Sequence, residues 1–297
     1  MASVREARPQ GLSLALGGGA VRGVAHLGVL DVLVEEGLPI VAVSGTSVGA
    51  LVAAVFATRQ PWPGSKALAE QINSCSLNPI TQLQLPPKGG SPAARLRRWL
   101  AVARAAFQGG FGEAVFSGRG LEDFIRDLLG DLDFQDSHLP LMMAATDIDS
   151  GDCVILRDGP LYKAVRASSA IPGIFPPVPW RGRRLVDGAS ARLIPVEVLR
   201  PYASLVIGVD VSDASISLHP RKAYTIAWQA SHISIRHLRN YALHQADAVI
   251  CANSLKPVLG FDFTRMTELI DIGRRAAHQA LPTIRTLLRE SATGHPG

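Results

Sequence analysis

Apolar residues fall along this chain in short dense blocks divided by glycine and proline, and the blocks alternate between two periods. Leu12-Ser-Leu-Ala-Leu16 and Ile40-Val-Ala-Val-Ser44 are too short for helices and read as buried strands. Each passes through a glycine-containing turn into a longer run with helical character. The first, Val24–Glu36, ends at Gly37 as a C-terminal cap; the second, Gly49–Thr58, meets no breaker until Pro61. Later, Leu141–Asp147 reads as a core strand, Asp149–Asp152 as a hairpin turn with Cys153–Leu156 returning, and Leu161–Ala167 as a helix. Ser204–Val211 and Ala246–Cys251 complete the strands, and Ala223–Gln245 and Arg274–Glu290 the helices. Strand and helix in this alternation predict an α/β fold, a three-layer sandwich with a mostly parallel central sheet and helices on both faces.

The pattern breaks between about residues 60 and 120, where Pro61, Pro63, Pro79, Pro86, Pro87 and Pro92 punctuate short segments. Ser65–Asn73 and Ala93–Phe107 read as helices there, and Ser117 caps another over Gly118–Leu129. With no strand pattern in it, this stretch is expected as a lid-like helical insertion within one domain spanning 11–290. Residues 1–10 are expected as a flexible leader and 291–297 as a flexible tail. On a helical wheel Leu96, Trp99, Leu100, Ala103 and Phe107 share one stripe of residues 92–107, with Arg97, Arg98 and Arg104 opposite. That helix is either packed on the sheet or laid on an anionic membrane.

Two turns carry candidate chemistry. Gly45-Thr-Ser-Val-Gly49 is a G-x-S-x-G between a strand and a helix. A sharp turn there leaves Ser47 exposed at a helix N-terminus, where amides and the helix dipole favour developing negative charge. The alternative is a packing turn without chemistry. Gly17-Gly-Gly-Ala-Val-Arg-Gly23 likewise opens a helix, but it lacks the last glycine of a dinucleotide fingerprint and the Gly-Lys-Ser/Thr of a P-loop. Its small-residue amides suit an oxyanion hole beside a nucleophile, or else a plain glycine turn.

Composition narrows the classes. The 297 residues are 47% hydrophobic and 19% charged, which suits a buried sheet with a surface that meets lipid. The stretch from Leu38 to Thr58 lacks charge, but Ser44, Gly45, Thr46, Ser47 and Gly49 in its middle argue for protein core over a membrane span. The net charge of +5 comes with no basic run interleaved with aromatics, so no nucleic-acid partner is expected. Cys75, Cys153 and Cys251 lie far apart and read as reduced thiols of a cytoplasmic protein. No His/Cys cluster has metal-ligand spacing, so no metal and no cofactor is expected. The pattern implies no particular oligomeric state.

The run Leu16-Gly-Gly-Gly-Ala-Val-Arg-Gly-Val-Ala-His-Leu-Gly-Val-Leu30, followed by Gly45–Gly49, resembles the bacterial patatin-like phospholipases. Aligned on Arg22 and Gly23, the family's G-G-G-x-R/K-G loop falls on Gly18, Gly19 and Ala20. Alanine departs from the pattern and matters if that position needs positive φ. Ala167–Val178 is similar to the family's proline-rich turn beside the active site, in which Ser168 and Ser169 are read as hydrogen-bonding residues. The resemblance further implies that Asp187, in Asp187-Gly188-Ala189, is the acid of a Ser–Asp dyad with Ser47, 140 residues away (187 − 47). Arg192 and Leu193 stand where relatives often carry asparagine and proline.

The resemblance thus implies a lipid acyl hydrolase acting on phospholipid or lysophospholipid esters. Ser47 would attack, Asp187 would shuttle the proton, and the amides of Gly18, Gly19 and Ala20 would hold the oxyanion. Arg22 would buttress that loop, with Gly23, Gly45, Gly49 and Gly188 in supporting motif positions. A non-catalytic lipid-binding scaffold, a soluble esterase or thioesterase, and an acyltransferase remain alternatives. A lipid substrate would bring such a cytoplasmic protein to the inner face of the membrane, with contact through 92–107 as one option. A histidine from a Ser-Asp-His triad is not expected, because none after Asp187 lies in a loop of small residues.

Overall fold

The computed structural model describes residues 10–75, 114, 116–212, 223–253 and 263–293. In chain order the elements are β1 (Leu12–Leu16), α1 (Ala25–Glu35), β2 (Ile40–Thr46), α2 (Val48–Thr58), α3 (Ser65–Ser74) and α4 (Arg119–Leu129). Next come β3 (Leu141–Asp147), β4 (Cys153–Leu156), α5 (Leu161–Ser168), β5 (Val178–Trp180) and β6 (Arg183–Asp187). The chain continues through β7 (Leu205–Asp210), α6 (Ala223–His244), β8 (Ala248–Cys251) and α7 (Met266–Thr293). The strands form one sheet in the order β5-β6-β3-β2-β1-β7-β8, with β4 also paired to β3. From β3 through β8 the pairing is parallel, whereas β4 and β6 join β3 antiparallel and β5 joins β6 in the same sense. The sheet is therefore mixed and mostly parallel.

Side-chain alternation assigns the two faces. Leu12, Leu14 and Leu16 of β1, Val43 of β2, Met143 and Ala145 of β3, and Ile207 and Val209 of β7 point into one large core with α1 to α5 and α7. The intervening Ala15, Ala42, Met142 and Val206 face a second, smaller core. That core is roofed by α6 and by the irregular segment that follows β6, through Leu193, Ile194, Val196 and Leu199. Ser13 and Ser44 are also fully buried on the strands at this parity. Small side chains there let irregular backbone lie close against the sheet.

Register along β3 brings distant segments together. β2 pairs with β3 from Leu141 to Ala144, and β6 takes up β3 from Ala145 to Asp147. Thr46 at the end of β2 and Asp187 at the end of β6 thus pair with the adjacent residues Ala144 and Ala145.

On the larger face a buried carboxylate fastens α3. Asp31 of α1 accepts hydrogen bonds from Trp62 Nε1 at 2.8 Å, from the Ser65 amide at 2.9 Å and from the Ser65 hydroxyl. Arg274 of α7 reaches the same carboxylate at 3.2 Å.

Two expectations change. The final helix begins at Met266, not Arg274, and runs through Thr293 into the expected tail. Gly273 lies inside this helix and marks a close crossing. A Cβ there would stand 1.9 Å from the Ala25 carbonyl oxygen, and one at Gly28 would stand 2.0 Å from that of Ile270. β5 follows at the end of the proline-rich turn and is not expected from the sequence, because three residues with Pro179 in the middle are too few to show alternation. The expected amphipathic helix of 92–107 lies outside the described residues, as does most of the 60–120 insertion.

The α1–α7 crossing makes a prediction of sign. Glycine to alanine inside a helix ordinarily gains about 1 kcal/mol. Gly28→Ala is instead expected to lose roughly 1–3 kcal/mol by overpacking against the Ile270 carbonyl. Urea unfolding should show a lowered midpoint, and a raised one would contradict the contact.

Candidate active site

Ser47 occupies the turn between β2 and α2 with φ +57° and ψ −125°, a left-handed conformation that a side chain adopts only under strain, at about 1–3 kcal/mol. The flanking glycines make the turn possible. A Cβ at Gly45 would lie 2.2 Å from the Gly49 carbonyl oxygen, and one at Gly49 would lie 2.2 Å from that of Leu16. Strand, helix and the end of β1 therefore touch backbone to backbone. The turn is latched from outside. The Ser47 amide donates to Ser168 Oγ at 2.9 Å, and that hydroxyl donates to the Ala144 carbonyl at 2.6 Å. Ser168 is thus a hydrogen-bonding residue, as expected.

Asp187 ends β6 and is 4% exposed. Its carboxylate accepts from the Ala189 amide at 2.8 Å. Burial raises its pKa to about 6, and the Ala189 amide and the neighbouring Ser47 side chain pull the other way without restoring the usual value. The Asp187 backbone is pinned as well, by its amide on the Ala170 carbonyl at 2.9 Å and by Thr146 Oγ1 on its own carbonyl at 3.1 Å. Gly188 packs on the Ala144 carbonyl. The following segment is stitched to the other two motifs. Thr46 Oγ1 donates to the Arg192 carbonyl at 2.8 Å, the Gly18 amide to that of Leu193 at 3.1 Å, and Ser44 Oγ to that of Pro195 at 2.8 Å. Arg192, the departure from the family pattern, turns its side chain to Glu197.

The glycine turn lies beside both residues. Gly18 is 3.4 Å from Ser47 Cβ as measured from its own ideal Cβ position, and Gly23 packs on Val48. One expectation is corrected here. The Gly18 amide is already committed to Leu193, so it is not free to meet an oxyanion. Among the described residues no acceptor meets the amides of Gly19 and Ala20. Ala20 has φ +51°, so its replacement of glycine falls where it carries strain. Arg22 holds the turn through Nε on the Val211 carbonyl at 3.2 Å.

Two further participants carried only weak sequence signals. His26 is fully buried, and its Nε2 lies 2.8 Å from the Gly17 carbonyl. Burial lowers its pKa to about 4, so the ring is neutral at neutral pH and carries its proton on Nε2, facing an oxygen that only accepts. It braces the glycine turn. Val48, the first residue of α2, offers an amide that the helix cannot use, next to Ser47.

An apolar cavity opens at Ser47, with about 900 Å³ of empty space including its mouth. Its walls come from the larger face: Leu51 and Val55 of α2, Leu68 and Ile72 of α3, Phe124 and Leu128 of α4. Among the described residues, Ser47 and Ser169 are the only polar side chains lining it. Among the described residues no three His, Cys, Asp or Glu side chains converge as metal ligands would, and no helix is long and apolar enough to cross a membrane.

Comparison with known proteins agrees with this arrangement. The sequence model of the patatin-like phospholipase family matches residues 14–200. Mouse patatin-like phospholipase domain-containing protein 7 is 30% identical over 206 residues, which cover 67% of this chain but 13% of that protein. An uncharacterized NTE family protein of Mycobacterium bovis is 28% identical over 228 residues, covering 76% of this chain and 56% of the relative. The chain thus spans a small fraction of the animal relatives it matches. Among solved structures, VipD from Legionella pneumophila superposes with a TM-score of 0.53 at 14% identity, over 93% of this chain and 67% of that one, a likeness of fold. By the extent of the family match and the placement of its motifs, the chain belongs to the patatin-like phospholipase family.

Proposed function

We propose that the protein is a serine lipid acyl hydrolase that cleaves carboxylic esters of phospholipids or lysophospholipids through a Ser47–Asp187 dyad. One observation carries this reading: Ser47, in its strained turn, stands beside the buried carboxylate of Asp187 at the mouth of an apolar cavity. Ser47 Oγ attacks the acyl carbonyl as its proton passes to Asp187. The tetrahedral oxyanion is met by the Gly19 and Ala20 amides. Collapse breaks the bond to the alcohol, which takes the proton from Asp187 and leaves an acyl-enzyme. Water then repeats the sequence, giving up a proton to Asp187 and releasing the fatty acid as Ser47 recovers its hydrogen. A carboxylate near its reference value is a weak base, and burial that lifts Asp187 to about 6 makes it a better one. The cavity favours a long acyl chain over a small acyl group, since its walls offer almost no hydrogen-bonding partner.

Ser47→Ala is expected to abolish both fluorophosphonate labelling and ester hydrolysis. Labelling that survives in this variant would move the nucleophile elsewhere.

Asp187 yields a paired forecast. It must be ionised to accept the proton, so kcat/KM should rise with pH through about 6 and level off above. Its folded pKa is above the unfolded value of 3.8, so the native state holds a proton that the unfolded chain has lost across that window. Its contribution is fully present below pH 3.8 and is lost as pH rises through about 6. Asp187→Asn should accordingly lose orders of magnitude in turnover yet gain about 1–3 kcal/mol of stability at pH 7.5, a gain that vanishes near pH 4. Urea titrations of both proteins at the two pH values check the sign.

Ala20→Gly removes a left-handed alanine, against the greater chain entropy of glycine. A net gain of up to about 1 kcal/mol with turnover retained is expected by thermal unfolding and ester assay. A loss of stability would mean that alanine is comfortable there.

A further inference from the structure

The helix α6 has two apolar sides, and the sheet covers one of them. Ile235, Ala242 and Leu243 pack into the smaller core. Between residues 226 and 244 only Ala242 is buried. Ile226 is 53% exposed, Ile233 40% and Tyr241 62%, with Trp228 at 40% nearer the sheet side. At 100° per residue, Ile226, Ala230, Ile233, His237, Tyr241 and His244 form one outward row about 27 Å long. An apolar row of that kind on a helix that is already packed calls for something to cover it.

Charge says what. From residue 214 to residue 246 the chain contains no Asp or Glu, while Arg236, Arg239, His232, His237 and His244 all stand on α6. Arg239 is spent on Asp210. The helix therefore offers apolar and aromatic side chains with a rim that is cationic or neutral throughout. A second copy packed by two-fold symmetry would set Arg236 and the same cationic rim against themselves. An anionic lipid surface meets both needs, with tryptophan and tyrosine at headgroup depth.

Position strengthens the case. Arg239 reaches Asp210 at the end of β7, the charge of Arg22 on the glycine turn helps burial to lower the pKa of His232, and the helix packs on the turn at 188–190 after Asp187. α6 thus flanks the loops that hold Ser47 and Asp187. We infer that α6 is the docking element that lays the protein on an anionic phospholipid membrane beside its catalytic mouth. The inference rests on the lipid-hydrolase reading above for its purpose, though not for its geometry.

Co-sedimentation of the full chain with phosphatidylglycerol–phosphatidylcholine vesicles tests it, run beside fluorophosphonate labelling and hydrolysis of a short water-soluble ester. The parent should bind these vesicles, more weakly as salt rises and on pure phosphatidylcholine. Ile226→Gln, Ile233→Gln and Tyr241→Gln combined should weaken binding about tenfold or more. Arg236→Glu alone should weaken it on the anionic vesicles only. Labelling and soluble-ester turnover should be unchanged in both variants, which also reports that they are folded. A parent that does not bind anionic vesicles, or a triple variant that binds as well as the parent, overturns the inference. A parent dimer that the triple variant dissolves overturns it too, and gives the face to a second copy. Vesicle binding with no labelling of Ser47 would instead sink the catalytic reading and leave the docking face standing.

Discussion

A buried backbone carbonyl without a donor is expensive, and residues 192–195 lie as irregular chain against the inner face of a sheet. Three carbonyls of that segment are met by Thr46, Gly18 and Ser44, all from the two segments that precede the turns at Ser47 and Ala20 or belong to them. Satisfying the segment therefore fixes where the chain goes after Asp187. The same three bonds draw that aspartate, the serine turn and the glycine turn into one cluster. Larger side chains on the Ser13–Ala15 parity of the strands would lift the segment away from its donors.

The site contrasts two buried aspartates. Burial pushes both upward, yet Asp210 ends below its ordinary value because Arg239 and Ser212 donate to it, while Asp187 ends above because the Ala189 amide and the neighbouring Ser47 side chain do not offset its burial. One is a structural anion and the other a group able to change state near neutral pH. A neutral His26 fits the same logic, since burial disfavours its charged form while its ring braces the Gly17 carbonyl. Left-handed Ser47 and Ala20 add local strain, which the packing of the adjoining large core offsets.

Much of this was legible beforehand, and the reason is particular. Leu12–Leu16, Ile40–Ser44 and Leu141–Asp147 are dense enough to read as buried strands without partners. Gly45–Gly49 names its own geometry, because close backbone contact admits no other residue. Illegible features were those decided by contact at long range. The close packing of Gly273 on the Ala25 carbonyl shows in no spacing, and Pro179 hides a three-residue strand that is paired to β6. The amide of Gly18 is indistinguishable in sequence from those of Gly19 and Ala20, yet a carbonyl 175 residues later takes it (193 − 18). The latch by Ser168 and the brace by His26 depend on what lies across from them, which no spacing encodes.

The tether at Asp31 has a consequence for how such a protein diversifies. Ser47 and Asp187 stand at strand ends and tight turns, whose backbones interlock and tolerate little change. The chamber next to them is walled by α3 and α4, and α3 is moored to the rest through Trp62, Ser65 and one carboxylate. Exchanging Leu68, Ile72, Phe124 or Leu128 for larger or smaller residues reshapes the chamber without disturbing a bond at Ser47 or Asp187. The shape of the chamber and the geometry of the Ser47 turn are thus written in different parts of the polypeptide, free to drift at different speeds.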